Sequence, residues 1–245
     1  MIGAMLVAPI PQDLGYHAFA DTRSGLGIPN FGDTVSNLGF AVVGIWGLWL
    51  VLGRVGKDIF SDRADAWPYI VFFIGIAFVS LGSAYYHLAP DNDRLFWDRL
   101  PMTIGFMAIF SALVADRIHQ PIATRLLLPL LVLAGLLCLL YWNWTEARGH
   151  GDLRFYGLVQ LYPMVALPLI LWLFPRAHYT AGNYLFWVIF WYALAKVLEV
   201  FDREIFSLLG HAVSGHSLKH LAAAVATFVV VRMIAVRHGA PMTTK

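Results

Sequence analysis

Five side chains able to do chemistry stand in or beside long apolar runs of this 245-residue chain. They are Ser83 and His87 in LGSAYYH, Asp98 in FWDRLPM, and His216 and His220 in SGHSLKH. Ser83 and His87 are four residues apart, as are His216 and His220, and that spacing puts each pair on one face of a helix. Neutral imidazoles suit Zn²⁺, and three of them with a fourth position left open is the arrangement of a catalytic rather than a closed structural site. Water held at such a position loses a proton near neutral pH. Hydrolysis also needs a proton acceptor and a donor for the oxyanion that forms on the attacked carbonyl. Asp98 has the chemistry for the first part and Ser83 for the second. Each residue also has a plainer reading that spacing leaves open. A histidine at a helix end is commonly a hydrogen-bonded interfacial group, and a serine is common at close helix contacts in membranes. Asp98, just ahead of Leu100 and Pro101, stands where a helix cap is expected.

The elements that must position these groups follow from composition. The chain is 59% hydrophobic and 13% charged, which exceeds the apolar content of a soluble domain and reads as an integral membrane protein. A net charge of +2, without a basic stripe, gives no case for nucleic acid. Cys138, the single cysteine, can form neither an internal disulfide nor a cysteine-based zinc site. The opening MIGAMLVAPIPQ has no basic start and meets Pro9 and Pro11 early, so it does not read as a cleavable signal peptide.

Crossing a bilayer takes about 20 mostly apolar residues. Seven such runs fall at about 34–54, 67–88, 100–117, 124–143, 155–174, 182–201 and 215–236. The expected fold is therefore all-α, one seven-transmembrane-helix bundle over 34–237, with an extramembrane segment 1–33 and a tail 238–245. Lysine and arginine on alternate sides count nine against six, which puts the N-terminus outside and the C-terminus in the cytoplasm. The nine include Arg54, Lys57 and Lys245. With that orientation the second run climbs outward to Ser83 and His87, while the seventh starts inward from His216 and His220. All four then lie just below the outer face, with Asp98 entering the third run beside them.

Other polar residues have simpler expectations. Lys196, Glu199 and Asp202 are spaced by three in the sixth run and can pair along one face; Glu199 is also placed to face the cavity. His211 falls outside the seventh run. His17, His119, His150, His178 and His238 read as solvated loop residues. Trp67, Trp97, Trp142 and Trp144 stand near run ends, where indole favours the interface.

With these residues in view, the sequence resembles the alkaline ceramidase family, within the seven-helix membrane hydrolases that include adiponectin-receptor-like proteins. DTVSNLGF, SAYYH, WDRLPM and SGHSLKH carry the resemblance. It implies that His87, His216 and His220 bind catalytic zinc, that Ser83 stabilises the oxyanion, and that Asp98 acts as base and then acid. The implied reaction is hydrolysis of a ceramide-like lipid amide drawn from the bilayer, giving a fatty acid and a sphingoid-type amine. The family also implies Ca²⁺ bound by carboxylates ahead of the first helix. Here FADTRSGLGIPNFGD offers only Asp21, Asn30 and Asp33, with Asp13 upstream, against the six to eight oxygens calcium takes. The stretch also reads as a turn, with Asp33 and Thr34 capping the first helix. Two other functions remain open on the residues alone. One is a receptor-like protein with structural zinc; the other is a metal-free transporter, which is expected to show internal repeats or helices broken near mid-membrane.

Overall fold

Residues 5–53 and 59–238 are described by the computed structural model. Arg54, Lys57 and Lys245 of the charge count lie outside the described residues, as do Met1–Ala4 and all of the tail beyond His238. Hydrocarbon offers no partner to backbone N–H and C=O groups, so a segment that crosses it must satisfy them internally, as a helix does. The chain is all-helical, with no strand among the described residues. We number the helices α1 (Phe31–Leu52), α2 (Trp67–Leu88), α3 (Asn92–Arg117), α4 (Gln120–Glu146), α5 (Arg154–Leu173), α6 (Tyr184–Val200), α7 (Asp202–Leu208) and α8 (Gly215–Val236). Six of them are long and apolar enough to cross a membrane, and α6 with α7, bent by 80° at Phe201, makes up to seven. Large apolar side chains such as Val42, Trp49, Phe78, Val165 and Trp172 face outward, as a lipid-facing surface requires.

The helix boundaries follow local chemistry, with three corrections. α3 begins at Asn92, not near Leu100, because Asp91 caps it by accepting the Arg94 N–H at 2.7 Å. Asp98 therefore lies inside α3 and does not cap it, and Pro101 is an interior proline. α1 begins at Phe31 with Asn30 at its cap position, so Asp33 and Thr34 sit within its first turn. Asp202 leaves the face shared by Lys196 and Glu199, because the bend at Phe201 puts it at the head of α7.

Two tryptophan and histidine expectations also change. Trp67, Trp97 and Trp144 are exposed, but Trp142 is fully buried and lies 4.5 Å from the Arg99 guanidinium carbon. His17 is not merely solvated: its ring nitrogens sit 2.8 Å from the Tyr86 hydroxyl and 2.8 Å from Asn92 Oδ1.

Packing brings three helices to one end of the molecule. α2 runs along α3 over most of its length, and α8 lies between α6 and α1. Close approach of α2 to α3 depends on Gly82, since a Cβ there would overlap the Trp97 carbonyl oxygen and stand 2.9 Å from its carbon. That carbonyl has no helix donor, because the residue four further on is Pro101. Gly215 does the same for α8, where a Cβ would overlap the Leu198 carbonyl oxygen of α6.

Candidate metal centre and cavity

His87 comes from the last turn of α2, and His216 and His220 from the first turns of α8. Their ring centroids form a triangle with every side 4.9 Å. One nitrogen from each ring lies within 4.8 Å of the others, and all three residues are buried. This is the group of histidine, cysteine or acidic residues among those described that can hold a metal ion. Two details suit the donor set to one. His87 Nδ1 is buried with no hydrogen-bond partner. His220 Nδ1 instead meets the Ser36 hydroxyl at 2.8 Å, the outer contact that metal-binding histidines ordinarily make.

The segment ahead of α1 covers this triangle. The Phe19 ring lies 4.7 Å from the His87 ring and 4.5 Å from that of His216. Asp202 clamps the segment to α8, accepting from Ala20 N and from His216 N, each at 2.8 Å. Asn30 donates its amide to the His87 carbonyl at 2.7 Å. Asp33, fully buried, accepts from the hydroxyls of Ser214 at 2.9 Å and Ser217 at 2.6 Å. Ser214 also caps α8 by accepting the Ser217 N–H.

Below the triangle a cavity of about 200 Å³ opens between the helices. Ser83, Asp98, Lys196, Glu199, Lys219 and His220 line its polar end, and apolar side chains including Phe72, Ile76 and Leu167 line the rest. Ser83 and Asp98 face this cavity from α2 and α3, on either side of the contact that Gly82 allows. Tyr16 donates to Glu199 at 3.1 Å; burial first, and then the Glu199 charge, push its phenol well above the usual value, so it stays a donor. Lys196 pairs with Glu199 at 2.5 Å as the spacing predicts.

The structure thus brings Ser83, His87, Asp98, His216 and His220 to one place, and Glu199 faces the same cavity. Sequence reasoning passed over Phe19, Ser36 and Lys219. Lys219 stood in view within SGHSLKH, three residues after His216 on the same helix, but its other partner Glu199 lies on α6; Ser36 and Phe19 carry no local signal for a contact with α2 or α8.

The three residues considered for calcium serve three separate partners. Both carboxylate oxygens of Asp21 accept from the Arg23 guanidinium at 2.7 Å, which holds that carboxyl below its usual range. Arg23 donates in turn to the Ala212 carbonyl at 3.0 Å. Asn30 is committed to His87 and Asp33 to the serines, while Asp13 caps the turn at Gly15. Side chains committed in this way offer few of the six to eight oxygens that calcium takes, although Asp33 Oδ2 is buried without a hydrogen-bond partner.

Comparison with known proteins places these residues in context. A protein-family model described as Ceramidase matches residues 27–243. No curated protein matches the chain.

Proposed function

This chain belongs to the ceramidase family, whose model spans most of its length, and from that premise we propose that it is a zinc-dependent amide hydrolase of the membrane. Membership implies hydrolysis of ceramide; the reading adds zinc, the residue roles and a site reached from within the bilayer. The observation that carries it is the buried triangle of His87, His216 and His220 at the polar end of an otherwise apolar cavity that Ser83 and Asp98 also line. Those three imidazoles would hold the metal. Zinc, when bound, supplies Lewis acidity and so lowers the barrier to attack of water on a carbonyl.

The chain's own groups account for the remaining steps. The apolar walls take an acyl chain, and the amide carbonyl then lies between Ser83 and the histidines. Asp98 accepts the proton of the attacking water, and the C–N bond breaks as Asp98 returns that proton to the departing nitrogen. The Ser83 hydroxyl donates to the carbonyl oxygen as negative charge grows on it. Products are a fatty acid and an amine, with one water consumed. Burial under Phe19 keeps bulk water from the site. In this reading residues 34–237 carry the activity and the N-terminal segment closes the site. The histidine end faces outward, a placement supported by the lysine and arginine excess on the other side.

The test is a panel of lipid amides, ceramide among them, given to the purified protein in detergent with and without a zinc chelator. About one zinc per chain is expected, with hydrolysis lost on chelation and restored by zinc. His216→Ala should lose most of the metal, and Asp98→Asn should keep it while losing turnover. Full zinc retention by His216→Ala, or an unchanged rate for Asp98→Asn, sinks the corresponding role.

A further inference from the structure

Lys219 sits beside His220 in sequence but reaches a different histidine. Its Nζ lies 2.9 Å from His216 Nε2 and 3.1 Å from Glu199 Oε1. Glu199 is a fixed anion, since it also accepts from Lys196 on its other oxygen and from the Tyr16 hydroxyl. Lys219 and Glu199 form an ion pair at 3.1 Å.

Elementary valence makes the contact with His216 informative. A neutral imidazole has one lone pair and one N–H. A metal takes the lone pair, so the other nitrogen of a coordinated histidine carries the proton and acts as a donor. An ammonium has three donors and no acceptor. Whichever nitrogen of His216 meets a metal, the bond from Lys219 to Nε2 cannot persist. Lys219 and a metal ion are exclusive partners of this ring.

The other two histidines carry no such conflict. The Ser36 hydroxyl beside His220 can accept as well as donate, and His87 Nδ1 has no partner to lose. We infer that Lys219 is a positioning residue of the metal centre: it holds the His216 ring through its lone pair while no metal is bound, and turns wholly onto Glu199 when the ring takes one. The inference rests on the reading of the triangle as a metal site. The turn needs little movement, because Glu199 already shares the ammonium and the side chain borders the cavity.

The experiment measures zinc affinity on the purified full-length protein by competition with a chromophoric chelator, without turnover. Lys219→Met removes the competitor and leaves Glu199 its bonds to Lys196 and Tyr16, so zinc should bind roughly tenfold more tightly than in the wild type. Glu199→Gln takes away the destination of the displaced ammonium. It should weaken zinc binding in the wild type and have little effect in the Lys219→Met background. Equal or weaker binding by Lys219→Met overturns the inference, as does a Glu199→Gln effect of the same size in both backgrounds. Lys219→Leu, which likewise has no donor, makes the same comparison if the methionine variant does not fold. A wild-type protein that binds no zinc overturns the underlying metal reading instead, so the two failures are distinguishable.

Discussion

Ser36 and His220 stand 184 residues apart in sequence, with the serine hydroxyl 2.8 Å from Nδ1 of the imidazole. The same hydroxyl donates its proton to the Asp33 carbonyl at 3.1 Å. With its proton on that carbonyl the hydroxyl can accept from His220 Nδ1–H, an arrangement that leaves Nε2 its lone pair. In the proposed site this is the tautomer that would hold a metal through Nε2. Ser36→Ala removes the acceptor, and zinc affinity should fall roughly tenfold, read by chelator competition. An unchanged affinity would show that the ring is oriented without the serine.

The contact between Gly82 and Trp97 sets how close Ser83 comes to Asp98. Gly82→Ala forces a methyl group against a backbone carbonyl that cannot turn aside, and should cost about 1–3 kcal/mol of stability. Gly75→Ala is the control, since its nearest atom on α3 is 3.0 Å away and a smaller loss is expected. Thermal melting in detergent compares the two. Equal losses would remove the special role of Gly82.

Ser83→Ala tests the oxyanion contact. In the proposed mechanism the hydroxyl acts on charge that develops during reaction, so kcat should fall by about 10²–10³ while KM and zinc content change little. A rise in KM at constant kcat would make Ser83 a substrate-binding group instead.

Arg23 already neutralises Asp21, and so calcium added to calcium-free protein should leave the melting midpoint where it was. Arg23→Gln should lower that midpoint by stranding a buried carboxylate and releasing the Ala212 carbonyl. A calcium-dependent rise in the wild-type midpoint would overturn the account of this segment.

Asp152, buried at the start of α5, accepts from the Arg154 guanidinium at 2.9 and 2.7 Å. Arg154 holds its carboxyl down to about 2, below the value of about 3.9 for an unfolded chain. A lowered folded value contributes stability that is present above about pH 4 and is lost as pH falls from there toward 2. Asp152→Asn should therefore lose less stability than the wild type between pH 5 and pH 3. Parallel losses in melting experiments would contradict this.

The apolar runs alone carried the helical architecture, because an element in hydrocarbon must satisfy its own backbone and its length follows from membrane thickness. α2 and α8 begin and end where the runs do. The i, i+4 pairing of His216 with His220 was legible for the same reason: helix geometry is local. Capping was less so, since Asp91 and Asp98 are both plausible starts for α3, and a proline read as a boundary sits well inside it. Packing against α2, which the local sequence does not encode, holds that helix continuous through Pro101.

What the order of residues could not tell is which groups meet across helices. His87 joins the α8 pair, Ser36 meets His220, and Lys219 reaches Glu199 on α6, which Gly215 lets α8 approach closely. Those distances are products of side-chain volume summed over the whole bundle. Sequence determined the chemistry available to this protein; the close packing of α2, α3, α6 and α8 decided which of it shares one cavity.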